Sequence, residues 1–322
     1  VLDGERVVRG PVRPFLSSLD DLPLPAWDAV DLERYLGSWQ RSTGERRMAV
    51  LTSRGCPFDC AWCSKPTFGR SYRQQSVSRV LDELRALKDR YQVDYVRFCD
   101  DVFGIQRSWL EELLDRMVEE KLDLQFEYLA RVDLLKPDLL AQMRRAGLAR
   151  VYVGVESGSQ RMLDAMNRGT KLAQVERAAE ALRREGIRQY WFLMLGYPGE
   201  TVEDIAETLR LFRRFSPEEY SVSIAVPVPG TRFYDAVKDR LKGTSRTPNA
   251  SSGGRALLYE AVYPETLYRW AQARFDFEAS LSKAKGKIAP PVLRGLEDAA
   301  DALDRRIVTP ILLGGNTEPP AA

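Results

Sequence analysis

Histidine is absent from this 322-residue chain. That removes the Ser-His and Cys-His nucleophile pairs, and every zinc site that depends on imidazole. Cysteine is scarce: there are four, and three of them are Cys56, Cys60 and Cys63. A disulfide framework spreads its cysteines through a small secreted chain. Three crowded into one loop of a large chain point instead to a metal and to a reducing, cytoplasmic setting. No run approaches the roughly 18 apolar residues of a membrane span. Charge excess is missing too. Lys and Arg number 48 against 46 Asp and Glu, so the net charge of +2 gives no electrostatic case for nucleic acid or an anionic membrane. The opening VLDGERVVRG is too polar for a signal peptide and has no initiator Met, so it reads as a trimmed or fragmentary start.

What is present reads as an ordinary globular protein, 44% hydrophobic and 29% charged. Residues 1–45, with Pro11, Pro14, Asp20, Asp21, Pro23 and Pro25, predict an extended linker ending in one short helix. A strand–helix alternation follows. Strands are predicted at Met48–Ser53, Asp94–Phe98, Gln125–Ala130, Arg150–Val155, Gln189–Leu195 and Ser221–Val226, each short, apolar and bounded by polar residues or glycine. Between them, Ser76 is placed to cap a helix, and Ser108 with Glu111 to form a capping box. Pro137 suits a first turn, Gly147 a helix end, 172–185 a helix stopped by Gly186, and Thr201 another start. Six such units imply an α/β fold with a parallel sheet and right-handed crossovers, either curled into a partial barrel or left open. The alternation ends near Tyr234. Residues 242–256 read as a low-complexity loop, 264–285 and 291–306 as helices, and the tail as disordered. The expected division is a linker over 1–45, a core over 46–235 and a helical extension over 236–322.

The segment Cys56-Pro-Phe-Asp-Cys60-Ala-Trp-Cys63 supplies thiolates, the ligands that select iron–sulfur clusters or zinc. Three local thiolates leave one iron of a cubane without a protein ligand, open to a substrate or cofactor. The alternative is a structural zinc site with Cys99 as fourth ligand, although the neighbours of Cys99 offer no second ligand pair.

This spacing, with an aromatic residue before the third cysteine, resembles the signature of the radical S-adenosylmethionine superfamily. The likeness covers roughly residues 45–235. It implies a partial (β/α)6 TIM-type barrel and a 4Fe–4S cluster on Cys56, Cys60 and Cys63. It also implies that S-adenosylmethionine is chelated to the open iron through its amino and carboxylate groups. Reduction then cleaves that cofactor to a 5′-deoxyadenosyl radical, with electrons from a partner such as flavodoxin or ferredoxin.

Active sites of parallel barrels lie at the C-terminal ends of the strands, and the residues expected there are chemically varied. Asp100 and Asp101 suit an ammonium group, and Arg131 offers a fork for a carboxylate. Glu156 suits ribose hydroxyls, and Gly196 lets backbone approach an adenine. Tyr197 follows in the turn Gly196-Tyr197-Pro198-Gly199, and Trp62, within the cysteine motif, is placed on the adenine side. Together they match an amino acid joined to a nucleoside.

The stretches PVRPFLSSLDDLPLPAWD, FCDDVFG, VGVESGSQRMLDAMNRG, LGYPGET and VPVPGT resemble the cobalamin-binding branch of that superfamily. Its members act as methyltransferases on unactivated carbon or phosphorus, or catalyse ring formation and rearrangement in tetrapyrrole, lipid and antibiotic pathways. The resemblance therefore implies cobalamin-linked methyl transfer to a small-molecule substrate, or radical cyclisation. The upstream cobalamin domain is absent from this chain, which leaves cobalamin open as a cofactor. An iron–sulfur protein that only carries electrons is the non-catalytic alternative. Tyr259, Tyr263, Tyr268, Trp270, Phe275 and Phe277 are read as helix packing ahead of an apolar substrate pocket.

Overall fold

The structure, a computed structural model, describes residues 2–3, 6–8, 10–11, 14–65, 68–242 and 256–314, with side chains of the last helix as far as residue 308. Most of the low-complexity loop and the terminal tail lie outside the described residues.

Six parallel strands form one sheet: β1 (Arg47–Val50), β2 (Tyr95–Phe98), β3 (Gln125–Ala130), β4 (Leu148–Glu156), β5 (Arg188–Leu195) and β6 (Glu219–Ile224). Their order across the sheet is their order in the chain, with Arg47 beside Tyr95 at one end and Tyr190 beside Glu219 at the other. Such an order never reverses, so right-handed crossovers set all the connecting helices on one face and curl the sheet around the other. β1 and β6 do not pair, so the barrel stays open.

The helices before and between the strands are α1 (Leu32–Thr43), α2 (Val77–Tyr91), α3 (Arg107–Glu119), α4 (Pro137–Arg145), α5 (Gln160–Ala165), α6 (Leu172–Arg184) and α7 (Val202–Phe215). Strand alternation decides what faces them. On β2, Val96 and Phe98 are buried against the helices, while Tyr95 and Arg97 face inward. Inside the barrel, Glu127 of β3 accepts hydrogen bonds from the Tyr95 hydroxyl at 2.8 Å and the Tyr152 hydroxyl at 3.2 Å. Guanidinium groups of Arg47, Arg97 and Arg150 stand 3.7–3.9 Å from it. The interior nearest the strand N-termini is therefore a polar plug, and open space is left toward the C-terminal ends.

Three expectations change. The first predicted strand breaks at Leu51. β1 ends at Val50, and Ser53–Arg54 instead pairs antiparallel with Arg73–Gln74, closing the loop that carries the cysteines. The capping box at Ser108 and Glu111 does not form. α3 starts two residues earlier, after Gln106, and Glu111 accepts instead from Arg107 Nε at 2.8 Å. Short helices α5 and α8 (Arg232–Val237), which periodicity did not announce, follow strands four and six.

The C-terminal extension carries α9 (Glu265–Ala284) and α10 (Pro290–Gly314). Tyr259, Tyr268 and Phe275 are wholly buried in the core, so they pack the extension onto the barrel. Gln272 Nε2 donates to the Val222 carbonyl at 2.6 Å, covering part of the free edge of β6. Among the described residues no helix is long and apolar enough to cross a membrane.

Candidate active site

The cysteine loop leaves the sheet where Asp100, at the end of β2, grips it. Asp100 accepts from the Thr52 N–H at 2.7 Å, the Ser53 N–H at 2.8 Å and the Thr52 hydroxyl at 2.6 Å. Burial pushes its pKa up to about 6 against the pull of those donors. Gly55 then turns with φ +85°, and any Cβ there would overlap the Ser71 carbonyl. Cys56 N–H donates to the Gly69 carbonyl at 3.1 Å.

Distant segments stitch the loop down. The Ala61 N–H donates to the Met166 carbonyl at 2.9 Å, and the Ala61 carbonyl accepts from the Phe233 N–H at 3.0 Å. The Asp59 carbonyl accepts from Asn167 Nδ2 and from Arg232, both at 2.5 Å.

Cys56, Cys60 and Cys63 line one cavity of about 500 Å³ at the C-terminal strand ends, within the range of small-molecule sites. Trp62, Asp100, Asp101, Arg131 and Glu156 share that lining. Gly196 and Tyr197 do not. Tyr197 is buried against the Phe233 ring, 5.0 Å away. Gly196 donates to Glu200 Oε2 at 2.5 Å and accepts from the Tyr259 hydroxyl. Cys99, the fourth ligand of the zinc alternative, lines the same cavity. It is exposed, on the inner face that Leu129 also lines, because it sits one pleat above Arg97.

Arg131 is not a free fork. Its guanidinium donates to both Asp133 oxygens at 3.0 and 3.1 Å and to the Arg168 carbonyl at 2.7 Å. It also donates to Cys60 Sγ at 3.5 Å and lies over the Phe58 ring. Arg168, which the sequence reading passed over, donates to Cys60 Sγ at 3.4 Å and to the Gly154 carbonyl at 3.0 Å, and stands 3.6 Å from Glu156. Glu156 has φ +66° after an irregularity in the β4 register, an uncommon conformation for a non-glycine residue. Burial pushes its pKa up, while Arg168 and then Arg131 pull it down. The turn beyond it is fixed by α7, where Thr208 Oγ1 accepts from the Gly158 N–H at 2.9 Å.

The cavity fits a cluster and a polar cofactor. Trp62 Nε1, Lys65 Nζ and Arg168 Nε are buried donors without a protein acceptor, all on residues of this lining. Buried donors are seldom left unmatched, so the wall is built for acceptors that the protein does not supply. Among the described residues no three thiol or carboxylate groups converge on a single ion. A cubane takes one thiolate per iron, so its ligands surround it rather than meet at one point.

Residues 50–212 match the family model of the radical SAM superfamily. The chain belongs to that superfamily. An uncharacterized methyltransferase of Pyrococcus horikoshii is 30% identical over 71% of this chain and 49% of its own length. An anaerobic magnesium-protoporphyrin IX monomethyl ester cyclase of Rubrivivax gelatinosus is 29% identical over 74% of this chain and 42% of its own. The chain thus spans about half the length of the curated relatives it matches, or less. The radical SAM methyltransferase TsrM from Kitasatospora setae, solved with cobalamin and a 4Fe–4S cluster, superposes with a TM-score of 0.58 at 20% identity, over 64% of this chain and 38% of its own. The cobalamin-dependent radical enzyme OxsB, solved with aqua-cobalamin and S-adenosylmethionine, gives 0.61 at 17% identity, over 79% and 45%. These two likenesses bear on the fold. The cofactors of that superfamily are a 4Fe–4S cluster and S-adenosylmethionine, and the expected α/β fold stands.

Proposed function

We propose that the cavity holds a 4Fe–4S cluster through Cys56, Cys60 and Cys63. We further propose that S-adenosylmethionine is cleaved there for cobalamin-linked methyl transfer to an unactivated carbon of a small molecule. The observation that carries this reading is the set of unmatched buried donors on residues lining the same cavity as the three cysteines. Held by Cys56, Cys60 and Cys63, the cluster would supply the one-electron reduction of the sulfonium, and the residues around it would bind and orient the cofactor. Lys65 takes the cofactor carboxylate, since Arg131 is fully engaged elsewhere. Asp101, exposed on the cavity wall, accepts from the ammonium. Glu156 accepts from the ribose, and Trp62 borders the adenine. Gly196 and Tyr197, buried behind β5, shape the adenine side without lining the cavity.

Methyl transfer is favoured because a 30%-identical relative is named a methyltransferase. Radical cyclisation is the second reading, favoured by the relative named a cyclase. A pure electron carrier would need neither the cavity nor its donors. A reduced protein such as flavodoxin or ferredoxin is the proposed electron source.

The test is anaerobic reconstitution with iron and sulfide, followed by dithionite and S-adenosylmethionine, with and without added cobalamin. 5′-Deoxyadenosine formation supports the cleavage reading, and S-adenosylhomocysteine that depends on cobalamin supports methyl transfer. Absence of both products from a cluster-replete protein would overturn the proposal.

A further inference from the structure

Cys60 differs from the other two cysteines. Two guanidinium groups, from Arg131 and Arg168, donate to its sulfur at 3.5 and 3.4 Å. Among the described residues no cationic side chain hydrogen-bonds to Cys56 or Cys63. Both arginines are almost wholly buried, at 3% and 7% exposure. The two interlock, because Arg131 also holds the Arg168 carbonyl at 2.7 Å. A Cβ on residue 154 would overlap the Arg168 guanidinium, so Gly154 is what lets Arg168 lie there. Behind Arg168 stands Glu156, a buried carboxylate 3.6 Å away that offsets its charge.

A buried guanidinium placed for packing alone has no reason to share one sulfur with a second. Two positive charges on a thiolate in a low-dielectric wall stabilise whichever state of a bound centre carries more negative charge. Hydrogen bonds to the coordinating sulfurs act in the same direction. We infer that Arg168, with Arg131, is a positioning residue that raises the reduction potential of the bound cluster through Cys60, and that Glu156 sets how far by partly neutralising Arg168. This rests on the proposed assignment of the cluster to Cys56, Cys60 and Cys63. It adds an asymmetry: the Cys60 corner is where extra electron density is best accommodated.

The sign of two substitutions tests it. Full-length protein is reconstituted anaerobically, and its midpoint potential is followed by electron paramagnetic resonance without S-adenosylmethionine. Arg168→Gln keeps a hydrogen-bond donor but loses the charge, so the midpoint should move to more negative values at unchanged iron content. Arg168→Lys should return it part of the way. Glu156→Gln removes the offsetting charge, so the midpoint should move the opposite way. An unchanged midpoint in iron-replete Arg168→Gln would overturn the inference. So would shifts of the same sign in Arg168→Gln and Glu156→Gln, because general loosening of the wall would move the midpoint the same way whichever charge is lost. If Arg168→Gln fails to assemble a cluster, Glu156→Gln decides alone: a positive shift supports the inference and any other result overturns it. A wild-type protein that takes up no reducible cluster would instead remove the functional reading beneath it.

Discussion

Asp100 accepts the Thr52 backbone N–H at 2.7 Å, joining the end of β2 to the chain just before the cysteine loop. Its second oxygen is held by the Thr52 hydroxyl. This carboxylate braces the loop, whereas its neighbour Asp101 is left facing the cavity. Asp100→Ala would strand two buried backbone donors and a hydroxyl, at about 1–3 kcal/mol for each unmatched group. Thermal unfolding of the apoprotein should show a clear drop in Tm and reconstitution a loss of iron, while Asp101→Ala should leave both near wild type.

Iron content separates the four cysteines. Cys56→Ala, Cys60→Ala and Cys63→Ala should each fall well below the roughly four irons per chain of a cubane, with loss of the broad visible absorption. Cys99→Ser, at an exposed position, should keep both. Equal loss in all four would put Cys99 among the ligands.

Arg131→Ala should act on stability before it acts on affinity. Removing this buried guanidinium leaves Asp133 and the Arg168 carbonyl without their donors, and breaking such a pair costs on the order of 3–5 kcal/mol. The expected outcome is a lowered Tm together with reduced iron. A stable, iron-replete Arg131→Ala that binds S-adenosylmethionine weakly would restore the free-fork assignment.

Lys65→Met should do the reverse. Its ammonium is buried without an acceptor, so nothing inside the protein is stranded by its loss. A charge-assisted bond of roughly 1.5–3 kcal/mol corresponds to about ten- to a hundredfold in affinity. Titration of the reconstituted variant with S-adenosylmethionine should show that weakening at full iron content.

Glu200 makes stability fall with rising pH. It is wholly buried behind β5, and burial lifts its pKa from 4.5 to about 8. A carboxyl whose folded pKa lies above its unfolded one favours folding at low pH, and that advantage is lost between about 4.5 and 8. Each unit of difference is worth about 1.4 kcal/mol. Glu200→Gln keeps an acceptor for the Gly196 N–H and cannot ionise, so its Tm should decline less than the wild type's between pH 5 and pH 8.5.

The six strands were legible because each is a short apolar run whose burial depends on local alternation. The three cysteines were legible as one group because they lie close together in one loop. Arg168 was not: its partners Cys60 and Gly154 come from other elements, and no local pattern separates it from an exposed arginine of a helix end. Arg131 was placed at the correct strand end without its protein partners, since Asp133, Arg168 and Cys60 meet it only once the barrel has formed. The break at Leu51 was invisible for the same reason, because Asp100, which gathers Thr52 and Ser53, lies 48 residues on.

The stitching of the cysteine loop sets an order of assembly. The three cysteines are neighbours, and the pair Ser53–Arg54 with Arg73–Gln74 closes their loop over a short stretch of chain. Their surroundings are contributed from 71, 108 and 173 residues away, by Arg131, Arg168 and Arg232. Closing such long spans is the slow part of building a parallel α/β topology. A nascent chain can therefore present its thiols before it can shelter them. Synthesis must pass Phe233 before the wall behind Ala61 is complete, so iron delivered earlier would meet an open, oxygen-accessible site.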